Sequence, residues 1–226
     1  MESKKLAGEK AVEYIKDGMI VGLGTGSTVY WTIIKIAELI KEGLKIHGVP
    51  TSKETEQLAI KMGIPLINLS KLNKVDVTID GADEVNPRQE LIKGGGGALL
   101  REKMIASISE QFVVVADESK FVSTLGKFPL PVEVTPFGWE ITKKQIEWMD
   151  NTNPRLRLKE NAPYITDNGN YILDCYMDTI EKPEELTVQL NLIPGVVENG
   201  LFVNMSDIVI IGGNNGGIEI KHSTRT

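Results

Sequence analysis

Three short stretches of the chain concentrate groups that could do chemistry. The first is Gly22-Leu23-Gly24-Thr25-Gly26-Ser27-Thr28. Glycines let a ligand approach the backbone, and a helix start offers free N–H groups and the positive end of a dipole, a combination suited to an anion such as phosphate. Ser27 and Thr28 add hydroxyls. The spacing is neither that of a G-x-G-x-x-G dinucleotide loop nor that of a P-loop ending in Gly-Lys-Ser/Thr, so a monophosphate fits better than a pyrophosphate or triphosphate. The second stretch is Asp80-Gly81-Ala82-Asp83-Glu84, whose three carboxylates are costly to crowd together unless something uses them. Magnesium is one candidate user, but Lys93 follows closely and could supply the compensating positive charge. The third is Lys93-Gly94-Gly95-Gly96-Gly97, leading into Arg101-Glu102-Lys103. Ordering each glycine costs roughly 0.5 to 1 kcal/mol relative to Ala, which points to a second close approach of backbone to ligand. The neighbours of Glu102 at helical spacing are Ala98, Leu99, Ile105 and Ala106, so its carboxylate shares the face that packs inward, where a general base would sit. Plainer readings stand beside these: a tight turn capped by Ser27, a solvated acidic turn, and a surface Glu102 between Arg101 and Lys103.

Composition narrows the remaining options. With two histidines and one cysteine, the chain cannot assemble a His/Cys zinc cluster, and neither His47 nor His222 stands near a nucleophile elbow. Carboxylates and lysines are left to carry any catalysis. His47, in a strand-like run, and Cys175 read as packing or surface residues. The 226 residues are 41% hydrophobic and 25% charged, ordinary for a soluble globular protein of one large domain or a main domain with a smaller one. A net charge of −6 argues against a nucleic-acid partner. No apolar run approaches the about 18 residues of a membrane-spanning helix. The single Cys175 and a charged start without an apolar signal segment place the protein in the cytoplasm.

The elements that must position these groups alternate. Helical spacing runs over 3–17, then an apolar strand over 19–23; Ser27 to Glu42 forms a helix with Ser27 at its start and Gly43 at its stop. Leu44 to Val49 is strand-like, and Thr51 with Glu54 forms a capping box for a helix ending at Gly63. Val75 to Ile79 and Phe112 to Ala116 are strands flanking a helix over 98–108, so the phosphate-type loop, the acidic cluster and the segment 117–120 each follow a strand end. The expected fold is α/β, a Rossmann-like doubly wound sheet with a smaller inserted α+β (ferredoxin-like) domain. Prolines punctuate shorter elements from Phe128, and Asp207 to Ile211 returns to the buried-strand style, giving 1–127 with 204–226 as the main domain and 128–203 as the insert. Within the insert, Asn168-Gly169 signals a hairpin joining strands at 164–166 and 171–175, with helices over 141–149 and 183–192.

Gly-Thr-Gly-Ser-Thr at 24–28, Asp-Gly-Ala-Asp-Glu at 80–84, Lys-Gly-Gly-Gly at 93–96 with Arg-Glu-Lys at 101–103, and Gly-Lys-Phe-Pro-Leu-Pro-Val-Glu-Val at 126–134 resemble the type A ribose-5-phosphate isomerases. The likeness continues through Thr166-Asp167-Asn168-Gly169-Asn170, Ile193 to Val197 and Gly200-Leu201-Phe202, with departures at Gly97 and in the tail Asn214-Asn215-Gly216-Gly217. The resemblance implies interconversion of ribose 5-phosphate and ribulose 5-phosphate in the pentose phosphate pathway, with no required metal or cofactor. It implies substrate binding by Thr25, Gly26, Ser27 and Thr28, by Asp80, Gly81, Ala82 and Asp83, by Lys93, Gly94, Gly95 and Gly96, and by Lys120. Glu102 would be the proton acceptor, with Asp80, Asp83 and Lys93 assisting, in a homodimer or homotetramer whose partner is a small sugar phosphate. Two alternatives share the fold: a sugar-phosphate-sensing regulator, for which no residues remain to build a DNA-binding module, and a coenzyme A transferase, which would use a Glu as nucleophile.

Overall fold

In the computed structural model, residues 1–223 are described, and they form two compact units. The first comprises, among the described residues, Met1–Ala82, Arg101–Phe121 and 205–223. Its centre is a six-stranded sheet in the order Ile218–His222, Ile208–Gly212, Ser109–Asp117, Val75–Gly81, Ile20–Leu23 and His47–Pro50, parallel throughout except for the antiparallel edge strand Ile218–His222. Helix α1 (Glu2–Ala11) and helix α2 (Val29–Lys41) contribute Ala7, Ala11, Ile33 and Ile36 to a core that includes Val21, Val77 and Val115. Helix α3 is Lys53–Lys61, and Ile105 of α4 (Leu99–Ser107) joins Ile20, Val49 and Val75 in a separate cluster. Ile20 and Val21 are strand neighbours and so point to opposite faces; the two clusters therefore cover both sides of the sheet, as the doubly wound reading requires.

Two helix starts differ from their sequence signals. The N-cap of α2 is Thr28, not Ser27, and it makes no side-chain cap bond. The cap of α3 is Ser52, whose Oγ accepts from Thr55 N at 3.0 Å, instead of the expected Thr51–Glu54 box. At α3 the capping Ser52 also bonds Thr25 Oγ1, as Thr51 does, so the start of this helix is tied to the loop as well as capped.

The second unit comprises Asp83–Leu100 and Val122–Asn204. Its four-stranded antiparallel sheet runs Val196–Asn199, Leu130–Val134, Tyr171–Cys175, Pro154–Leu156, with α5 (Trp139–Glu147) and α6 (Pro183–Asn191) in the connections, a βαββαβ arrangement. A three-stranded sheet of Leu201–Phe202, Leu91–Ile92 and Glu84–Val85 accompanies it. This division differs from the expected boundaries, because Asp83–Leu100 groups with the insert. The cause is long-range pairing: Lys93 N donates to Gly200 O at 2.9 Å, and the buried Glu84 carboxylate accepts from Gly126 N at 2.7 Å and Phe128 N at 2.6 Å. The hairpin over 164–175 also differs. Tyr171–Cys175 pairs with Leu130–Val134 and Pro154–Leu156, while Thr166, Asn168 and Asn170 all donate side-chain bonds to Glu133 Oε1, closing the Asn-Gly turn around a buried carboxylate. His47 is exposed at a strand start, and Cys175 is buried, with desolvation pushing its thiol well above the ordinary range.

Helix α1 sits against its neighbours backbone to backbone. A Cβ on Gly212 would lie 2.0 Å from Ser3 O, and one on Gly8 would lie 2.6 Å from Thr28 O. Gly212→Ala is therefore expected to destabilise the protein by roughly 1 to 3 kcal/mol, because rigid backbone must move to admit the methyl group. Urea unfolding of the two proteins checks this; equal midpoints would mean that α1 is not tightly seated.

Candidate functional site

In the first unit the sheet order reverses between Ile20–Leu23 and Val75–Gly81, the switch point at which open α/β sheets bind ligands. A hydrogen bond ties the two strand ends there. Asp80 is fully buried, and its Oδ1 accepts from Thr25 N at 3.0 Å and from Gly81 N at 2.7 Å. Gly24 makes room for this carboxylate, since a Cβ at that position would lie 2.2 Å from Asp80 Oδ1. Gly26, at φ +120°, turns the chain into α2. Thr25 Oγ1 lies 2.8 Å from both Thr51 Oγ1 and Ser52 Oγ, and Thr55 Oγ1 donates to Gly24 O at 2.8 Å. The loop is thus held by hydroxyls from the start of α3, leaving Ser27 exposed on its rim. A cleft of about 360 Å³ opens beside it, lined by Gly24, Gly26 and Ser27 with Tyr30, Glu54 and Thr55.

Lys4 reaches this loop from outside its motif. From α1, its Nζ donates to Ser27 Oγ at 2.9 Å and lies 3.9 Å from Asp117 Oδ2. A cation placed beside a helix start adds positive charge to that of the N–H donors there. No local pattern marks it, because the contact depends on how α1 packs. Lys120, in the single turn Glu118–Lys120 after the strand Ser109–Asp117, is half-buried. Glu102 is 5% exposed and lies on the buried face of α4 with Ile105 and Ala106, so the inward-facing reading holds and the surface reading does not. Ala82 ends this unit's segment.

The second unit holds Asp83, Lys93 and the glycine loop. Asp83 Oδ2 accepts from Gly95 N at 2.7 Å. The Lys93 side chain is buried, with Nζ 5.4 Å from the centre of the Phe202 ring. A cation over an aromatic face is attracted by the ring quadrupole, which offsets part of the cost of burying the side chain. Gly94 and Gly97 have φ of +101° and +81°, and a Cβ on Gly97 would lie 2.4 Å from Tyr164 Oη, which accounts for glycine at that departure from the expected motif. Glu84, third member of the acidic cluster, differs in kind: its two oxygens are taken by backbone N–H groups.

The loop depends on Gly24. Gly24→Ala is expected to lower affinity for a phosphomonoester ligand at least about tenfold by driving Asp80 off Thr25 N, a loss of the order of one charge-assisted hydrogen bond. Calorimetric titration of both proteins with a sugar phosphate tests it, and unchanged affinity would separate Asp80 from the loop.

A family model described as ribose 5-phosphate isomerase A (phosphoriboisomerase A) matches residues 47–216. The chain is 54% identical over 217 residues to the ribose-5-phosphate isomerase A of Bacillus mycoides strain KBAB4, covering 96% of this chain and 98% of that one. It is also 54% identical over 221 residues to the enzyme of the same name from Listeria innocua, covering 97% and 98%. Among solved structures, the ribose 5-phosphate isomerase of Plasmodium falciparum superposes with a TM-score of 0.96 at 37% identity, covering all of both chains. A D-ribose-5-phosphate isomerase in complex with phospho-erythronic acid superposes at 0.94 with 42% identity, covering 98% of each.

Proposed function

Because the chain belongs to the ribose 5-phosphate isomerase A family, we propose that it interconverts D-ribose 5-phosphate and D-ribulose 5-phosphate. The observation that carries this is 54% identity to a ribose-5-phosphate isomerase A along nearly the whole chain. The ligand of the solved relative, phospho-erythronic acid, pairs a phosphate with a carboxylate, whose planar, oxygen-borne negative charge resembles the oxyanion of a phosphorylated enediolate.

The chemistry follows from the side chains. In the open-chain aldose, the Glu102 carboxylate accepts the C2 proton, the freed electron pair forms the C1–C2 double bond, and negative charge moves onto O1. Returning the proton to C1, while the O2 proton is lost and O1 regains one, completes the ketose. The developing oxyanion is stabilised by the Lys93 ammonium and by N–H donors of the glycine loop, so the reading requires no metal or cofactor. Asp80 and Asp83 orient hydroxyls and assist ring opening. Thr25, Gly26, Ser27 and Thr28 hold the phosphate, with Lys4 and Lys120 adding positive charge, and Gly81, Ala82, Gly94, Gly95 and Gly96 line the sugar. Binding energy from the remote phosphate holds C1 and C2 for proton transfer.

The setting proposed is the non-oxidative pentose phosphate pathway in the cytoplasm, as a homodimer or homotetramer. Among the described residues, no helix is long and apolar enough to cross a membrane.

Glu102→Gln is expected to lower kcat by roughly 10² to 10⁴ while substrate still binds, because the amide keeps the shape but cannot take the proton. Near-normal turnover would transfer the base role to Asp80 or Asp83. The double substitution Ser27→Ala with Thr28→Ala is expected to cost about 1 to 3 kcal/mol in kcat/KM for ribose 5-phosphate and far less for free ribose. An equal loss for both sugars would show that the loop does not read phosphate.

A further inference from the structure

The glycine loop of the second unit is gripped through its carbonyl oxygens. Arg157 Nη1 donates to Gly94 O at 2.9 Å and to Gly95 O at 3.1 Å, and Tyr164 Oη donates to Gly96 O at 3.1 Å. A trans peptide points its N–H opposite to its carbonyl, so holding these three carbonyls also sets the N–H directions of Gly95, Gly96 and Gly97. Two of those donors are used within the protein: Gly95 N–H bonds Asp83 Oδ2 at 2.7 Å, and Gly97 N–H bonds Gly94 O at 2.9 Å. Among the described residues the Gly96 N–H has no protein acceptor, and Gly96 is exposed.

Arg157 is itself fixed. Its Nε donates to Asp174 Oδ2 at 2.9 Å and its Nη2 to Asp174 Oδ1, a two-pronged pair between side chains only 15% and 16% exposed. Tyr164 N donates to Arg157 O at 2.9 Å, and the Tyr164 ring centre lies 5.8 Å from Arg157 Cζ. A cation at the carbonyl end of a peptide polarises it, which makes the N–H at the other end a stronger donor.

We infer that Arg157, locked by Asp174, is a positioning residue for the isomerisation: it orients and polarises the Gly95–Gly96 peptide so that the Gly96 N–H donates to the enediolate oxyanion. This rests on the isomerase reading above. The role needs a planar fork that reaches a carboxylate on one side and two carbonyls on the other, which the point charge of lysine does not provide.

Steady-state kinetics with ribose 5-phosphate and thermal melts on Arg157→Lys, Arg157→Ala, Asp174→Asn and Tyr164→Phe test the inference. Both Arg157 variants are expected to lose about 10- to 1000-fold in kcat with KM within about 3-fold, the signature of a lost transition-state donor. Asp174→Asn loses less, in the same direction. Millimolar guanidinium ion restores part of the Arg157→Ala rate, which a collapsed fold would not allow. Tyr164→Phe stays within about 3-fold of wild type, because the peptide it holds has its N–H already committed to Gly94 O. If Arg157→Ala does not fold, Arg157→Lys and Asp174→Asn carry the comparison. A wild-type protein that fails to turn over ribose 5-phosphate overturns the isomerase reading itself. An active wild type with Arg157→Lys at full kcat, or with a loss confined to KM, or with an equal loss in Tyr164→Phe, overturns the positioning role alone.

Discussion

The buried Asp80 carboxylate is the contact on which the first unit's loop edge depends. With no exposed surface, it accepts backbone N–H groups from Thr25 and Gly81 and so joins the loop after one parallel strand to the end of the next. A buried carboxylate is costly unless hydrogen-bonded, and these two donors compensate its Oδ1. The same contact dictates Gly24, since any side chain there would occupy the carboxylate's place. One interaction thereby fixes the loop's path and the residue type at its first turn, ahead of the exposed Ser27 and the buried Thr28.

The second unit meets a related problem in the opposite sense. Four successive glycines have little to hold them, because glycine loses more conformational freedom on ordering than any other residue. The loop is restrained from several directions: by Asp83 on the Gly95 N–H, by Arg157 and Tyr164 on the carbonyls, and by positive φ at Gly94 and Gly97. Glu133 steadies the neighbouring turn by accepting from Thr166, Asn168 and Asn170, while its other oxygen is buried without a hydrogen-bond partner.

The acidic cluster shows how similar residues separate by environment. Asp80 and Glu84 are both buried and both accept backbone N–H groups, but Asp80 ties a strand-end loop whereas Glu84 closes the segment Gly126 to Phe128. Asp83, between them, is half-exposed and bonds the glycine loop. Spacing alone presents them as one constellation of three carboxylates.

What the sequence by itself determined was whatever is encoded locally. Apolar periodicity gave the alternation of strands and helices, the uninterrupted apolar run over 112–116 gave a strand covered on both faces, and the neighbours of Glu102 placed it on an inward face, where it lies. Motif spacing was enough to carry the family likeness, because backbone-cradled loops require glycine and hydroxyl residues at fixed positions. Tertiary structure alone decided the matters that depend on distant partners. Helix caps fell one residue away from their sequence signals, Asp83–Leu100 joined the second unit by pairing with strands a hundred residues on, and the Asn-Gly turn closed on Glu133 instead of forming a hairpin. Lys4 at Ser27 and Arg157 at the glycine loop belong with these. Their roles are set by side chains meeting across 23 and 63 positions of chain, and no period or motif records a contact at such separations.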